Sequence, residues 1–127
     1  MTVINEKFSV NTKGNTDIID ITQKVKNAVY THSLQNAVVH VYVAGSTVSI
    51  TNIEFEPGLL VDLPEALDKI ASTDTDYHND ATWHDGNGYA HVRASIVGNS
   101  RMVPLIDGAL QLGQWQQIVL IDFDNKS

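Results

Sequence analysis

The chain has 127 residues, no cysteine, and 15 acidic against 8 basic side chains, a formal net charge of −7 with histidine neutral. Its 43% apolar and 18% charged residues are the balance of one globular domain, of a size that buries roughly two-thirds of its unfolded surface. The absent cysteines exclude a disulfide scaffold, an iron–sulfur cluster, a thiolate zinc site and a cysteine nucleophile. The acidic balance argues against a nucleic-acid partner. Short apolar runs, with Glu6 and Lys7 already near the start, argue against a signal peptide or membrane span, so the expected compartment is the cytoplasm.

In chain order, the loosely alternating, β-branched Thr2 to Val10 predicts a strand, and Asn11 to Asn15 is turn material that starts a hairpin. Val25, Ala28 and Val29 predict a helix from about Gln23 to Ser33, with Thr22 as its N-cap. Ala37 to Val43 and Thr47 to Ile53 read as two strands joined around Gly45. Pro57 suits a first helical turn, and Leu59, Leu60, Leu63, Leu67 and Ile70 carry an amphipathic helix to about Ala71. Pro64 either bends that helix or begins a second piece. Asp74 to Gly88 lacks an apolar period and reads as a polar loop, long enough to be sought first for functional residues. Val92 and Ile96 recur at helical spacing before Gly98. Met102 to Ile106 and Gln117 to Phe123 then read as strands. The order of elements gives an α+β fold, mainly antiparallel sheet packed with two or three helices, in a single domain over 1–127.

The chemistry concentrates in the middle of the chain. Between Glu54 and Asp85 stand nine acids (54, 56, 62, 65, 68, 74, 76, 80 and 85) against Lys69 alone, either a solvated face or a cation site. His78, His84 and His91 fall within fourteen residues, beside Asp85 and Asn87. Imidazole and carboxylate are the donors of zinc and similar divalent metals, so His78, His84, His91 and Asp85 are the candidate metal ligands. The alternatives are exposed loop histidines and, for His91, a packed one. His40, in a Val-rich strand, reads as structural, and His32 as a charge at a helix C-terminus. Glu54 and Glu56 project to one side of a strand end, where two carboxylates can share a proton or hold a cation. Gly45-Ser46-Thr47 and Gly98-Asn99-Ser100 offer hydroxyls and amides of the kind that contact phosphate.

Several segments together resemble a known family: Glu54 to Asp62 (EFEPGLLVD), Tyr77 to Asp80 (YHND), Trp83 to Gly88 (WHDGNG), His91 to Ser95 (HVRAS), Gly98 to Ser100, Val103-Pro104, Asp107-Gly108 and Leu112 to Gln116 (LGQWQ). The resemblance is to the YjbQ-like family, also called the secondary thiamine-phosphate synthase family, and runs from about Lys7 to Asp124. It implies an α+β domain assembled as a homotrimer, with a weak thiamine-phosphate synthase-like activity. It also implies that His91 is the family's histidine in the motif ending His-[Leu/Val]-[Lys/Arg], and that Glu54 and Asp62 are its acidic pair. Three positions depart from the family pattern. Gly45 stands where many members have histidine, Gln114 stands for a threonine, and the loop histidine is displaced, so that His78 substitutes from a neighbouring position or the ligand is lost.

The reading is thus a small-molecule enzyme acting on a phosphorylated or heterocyclic metabolite. His91, Glu54 and His84 are the catalytic candidates, and Ser46, Thr47, Trp83, Asn87 and Ser100 the substrate contacts. The alternative is a non-catalytic, trimeric metal- or ligand-binding module.

Overall fold

The run Ile118-Val119-Leu120-Ile121 has no polar alternation, and a strand of that composition is stable only with both of its faces covered. In the computed structural model, which describes residues 1–126, it is the heart of the last strand, Gln116–Asp122. Numbered in chain order, the elements are β1 (Asp17–Asp20), α1 (Thr22–Thr31), β2 (Ala37–Tyr42), β3 (Val48–Glu54), α2 (Pro57–Ile70), α3 (His78–Trp83), α4 (Gly88–Val97), β4 (Ser100–Ile106), β5 (Ala109–Leu110) and β6 (Gln116–Asp122). They form an α+β fold with two antiparallel sheets, β1-β6-β3 and β2-β4-β5. Because strand side chains alternate, β6 feeds two cores. Ile118 and Leu120 pack with Ile21, Val25, Val41, Ile50 and Val103, toward α1 and the second sheet. Val119 and Ile121, continued by Phe123, pack with Leu67, Tyr89, Ala90 and Ala94, toward α2 and α4.

The structure corrects several expectations. Residues 1–10 form no strand, because no backbone ladder meets them; Glu6 on His32 and Phe8 under Lys24 hold the segment along α1, and only Val10 reaches the core. Thr22 is not the N-cap of α1. That position is Ile21, Asp20 accepts the Thr22 N–H, and the buried Thr22 hydroxyl takes the N–H of Ile118 at 2.8 Å, which ties α1 to β6. β2 and β3 are not partners, since the chain crosses from one sheet to the other over Val43–Thr47. Pro64 sits inside one continuous helix, and the segment 74–88 contains the short α3, which makes four helices in all among the described residues. Val92 and Ile96 face solvent; α4 buries Tyr89, Ala90, Arg93 and Ala94 instead.

Burial at these two kinds of apolar position predicts unequal costs. Phe123→Ala, at a fully buried ring, lowers the unfolding free energy by about 3–5 kcal/mol in urea titration. Ile96→Ser, on the exposed flank of α4, changes it by less than about 0.5 kcal/mol.

Candidate functional site

Where β6 ends, its alternation turns polar, and Asp122 and Asp124 follow the buried run on either side of Phe123. The Asp124 carboxylate is the hub of this end of the molecule. Its Oδ1 accepts from Asn87 Nδ2 at 3.3 Å and from the Asn125 N–H at 2.8 Å, while Oδ2 accepts from the Thr47 hydroxyl at 3.3 Å. Asp122 takes the Thr12 hydroxyl and the Asp124 N–H. Asn125 reaches the next loop, donating from Nδ2 to the Asp85 carbonyl at 2.9 Å. Gly88 N–H donates to Asp80 Oδ1 at 2.9 Å and so closes that loop at the start of α4. A Cβ at Gly88 would lie 2.5 Å from that of Tyr77, so no larger residue fits between α3 and α4.

This end collects Thr47, Asp85 and Asn87 of the expected site residues. His91 follows Asn87 by four residues, one turn on and on the same flank of α4, where it is half-buried. Ser46 is exposed beside Thr47, and Ser100 opposes Tyr42 near the end of β2. Glu54 is elsewhere. It pairs with Gln116 at the far end of β3, six residues from Val48 and therefore about 20 Å from the Thr47 end. Glu56, expected to share a face with Glu54, instead caps α2 by accepting the N–H groups of Gly58 and Leu59. His78 and His84 are exposed on and after α3, and Trp83 is 70% exposed. Among the described residues no three His, Asp or Glu side chains can share one ion. The chain alone therefore does not assemble His78, His84, His91 and Asp85 into a zinc-type donor set.

The Thr47 proton is committed to Asp124, which leaves the exposed Ser46 as the free hydroxyl of the pair. Gly45 has φ +155°, and a Cβ there would stand 2.6 Å from Val48 Cγ1. An imidazole at this position therefore displaces Val48.

Sequence reasoning missed two things. Asp124, just past the expected strand, was given no role; the signal was the switch from an apolar run to an Asp-Phe-Asp alternation. Arg93, likewise not singled out from the sequence, is buried, bonding the Ala71 carbonyl, the Thr16 hydroxyl and Asp68, with the Tyr89 ring beneath it at 5.2 Å. Thr16 holds its end of this tie with φ +63°, a strained conformation for a β-branched residue. An open groove of about 530 Å³ runs beside Arg93, between α2 and the loop before β1, and contains none of the expected site residues. Burial raises the Tyr89 phenol above its ordinary pKa, the Arg93 charge opposing and Asp124 and Asp122 assisting.

The family model described as UPF0047 protein YjbQ-like matches residues 6–127. A UPF0047 protein of Archaeoglobus fulgidus is 35% identical over 118 residues, 93% of this chain and 90% of that protein. One of Methanothermobacter thermautotrophicus is 32% identical over 124 residues, 98% of this chain and 85% of its own. Among solved structures, an uncharacterized conserved protein of the yjbq/UPF0047 family from Clostridium acetobutylicum has a TM-score of 0.86 at 32% identity, covering 94% of this chain and 91% of that one. A YbjQ-like protein of unknown function from Sulfolobus solfataricus has a TM-score of 0.86 at 29% identity, covering 93% and 84%.

If Asp124 is the hub of this end, Asp124→Ala strands the donors of Thr47 and Asn87 and lowers stability by about 2 kcal/mol in thermal or urea unfolding. Thr47→Val, which removes one donor, costs about 1 kcal/mol or less.

Proposed function

We propose that this chain, which belongs to the UPF0047 YjbQ-like family, is a small-molecule enzyme that works as a homotrimer and completes its pocket between copies. The observation that carries the reading is the outer face of the β2–β4 sheet. Val38, Tyr42, Met102, Pro104 and Ile106 are all exposed there, on adjacent antiparallel strands, with His40 among them opposite Met102. A mainly apolar exposed face of this kind is what a subunit contact covers. The distribution of candidate residues supports the same conclusion, because Glu54 lies at the far end of β3 from the Thr47 end, and a neighbouring copy can supply a carboxylate there.

In this reading His91, half-buried beside Asn87, is the general acid or base, and Ser46 donates a hydrogen bond to the substrate. The hub carboxylates make this end acidic, which suits a heterocycle or the neutral part of a phosphorylated metabolite better than a bare phosphate. Metal chemistry would need donors from a second copy to join His91. Thiamine-phosphate synthase-like activity is weak or absent, since Gly45 offers no imidazole.

Light scattering on a sizing column is expected to give three times the 14.0 kDa chain mass. A monomer at micromolar concentration removes the shared pocket. His91→Asn is expected to fold with a stability change within about 1–2 kcal/mol and to abolish turnover or ligand-induced thermal shift. Unchanged binding and turnover would show that His91 is not the general acid or base. This chain is expected not to rescue a strain lacking thiamine-phosphate synthase. Gly45→His alone is expected to fail as well, and to gain trace activity only with Val48→Ala, which opens the 2.6 Å contact.

A further inference from the structure

We infer that the groove between α2 and the loop before β1 binds a free α-amino acid, its carboxylate on Arg93 and Tyr89 and its ammonium on Asp68. This site is independent of the enzyme reading. It holds none of the expected site residues, and His91, two residues after Tyr89, stands on a different flank of α4. The groove offers about 530 Å³, a volume within the range of small-molecule sites, and Arg93, Tyr89 and Asp68 all line it. They converge directly, since Asp68 Oδ1 accepts from Arg93 Nη2 at 3.3 Å and the guanidinium lies 5.2 Å from the centre of the Tyr89 ring.

What these groups leave free defines the ligand. Arg93 is only 3% exposed, yet its N–H groups are not all used. Nε donates to the Ala71 carbonyl, Nη1 to the Thr16 hydroxyl and Nη2 to Asp68, so each Nη keeps one N–H without a partner among the described residues. Asp68 Oδ1 takes the Arg93 and Thr73 N–H groups, while Oδ2 accepts from none of the described residues. The Tyr89 hydroxyl also lacks a partner there, and it is not one of the fully enclosed orphan atoms, so it opens onto the groove that its residue lines. Burial holds this phenol above its ordinary pKa, the Arg93 charge opposing, and it stays a donor at neutral pH.

Charge decides between ligand classes. Arg93 and Lys69 line the groove with Glu65 and Asp68, two of each sign, so a bare anion or a bare cation meets repulsion that a ligand carrying both charges avoids. Spare donors and a spare acceptor side by side on one ion pair match a carboxylate and an ammonium joined through a single carbon. Pro64 and the Tyr89 ring give the ligand's side chain an apolar wall. The opposite lip is built at a cost in backbone energy, Asn15 and Thr16 both holding positive φ, 55° and 63°.

The experiment titrates full-length protein with L-leucine, L-phenylalanine and L-glutamine in turn, read by isothermal calorimetry and saturation-transfer NMR. At least one is expected to bind saturably in the millimolar range, the strength a ligand this small reaches in an open groove. Its N-acetyl and its carboxamide derivatives, each lacking one charge, are expected to bind at least about fivefold more weakly. Asp68→Asn keeps the hydrogen bonds at Oδ1 and removes the charge, so it is expected to weaken the free amino acid at least about fivefold without weakening the N-acetyl derivative. Tyr89→Phe loses only an unbonded hydroxyl and is expected to keep the wild-type circular dichroism spectrum while binding about three- to tenfold more weakly. Binding by none of the three amino acids would overturn the proposal. So would equal binding of either capped derivative, or wild-type affinity in either variant.

Discussion

Everything in this fold depends on β6 being buried on both faces. A strand with Ile118 and Leu120 on one side and Val119, Ile121 and Phe123 on the other needs a layer above and a layer below. The second sheet with α1 forms one layer and α2 with α4 the other. Its two edges are closed by β1 and β3, whose ladders satisfy its backbone. The buried Thr22 hydroxyl, bonded to the β6 backbone, fixes where α1 crosses. The crossing of the chain from β2 to β3 follows from the same demand, because β3 must edge β6 while β2 belongs to the covering layer.

The polar end of the molecule is the direct continuation of that strand. Once the backbone leaves the sandwich, the residues that keep alternating become Asp122 and Asp124, half-buried and in need of donors. Thr12, Thr47, Asn87 and Asn125 supply them from four different segments. A carboxylate satisfied from this many directions organises loops that have no apolar reason to be ordered. The segment 74–88 is the clearest case. It buries little, yet Asp80, Asn87 and Asn125 hold it against the core end.

How much of this was legible in the sequence follows from where each element gets its stability. β6 and α2 carry their own pattern, an unbroken apolar run and a three- and four-residue Leu repeat, and both were found close to their limits. β1, four residues long, is a strand only because β6 needs an edge, and nothing in Asp-Ile-Ile-Asp announces it. The segment 1–10 failed in the opposite sense, having strand composition and no partner. In α4 the apolar residues Val92 and Ile96 misled, since the face that packs holds an arginine and two alanines. The burial of Arg93 depends on Ala71, Thr16 and Asp68, all distant in sequence. For the site, Thr47, Asp85 and Asn87 were legible as polar groups near turns. Asp124, which joins two of them, was not, because a carboxylate after a strand ordinarily faces water.

The departure at Gly45 belongs to the same logic. Val43 is pinned by its N–H to Asn99, and Thr47 by its carbonyl to Phe123, so Ala44, Gly45 and Ser46 alone carry the chain from one sheet to the other. With Gly45 at φ +155° and Val48 Cγ1 2.6 Å from where a Cβ would stand, a side chain at this position requires Val48 to move. Glycine here is part of how the two sheets connect, and an imidazole at this position would require a change at Val48 as well. The imidazole of α4, His91, stands one turn after Asn87, and Asn87 is anchored to Asp124. Fold and chemistry meet in that single anchor: the hydrogen bond that ends the core at β6 also sets the register of the helix carrying His91.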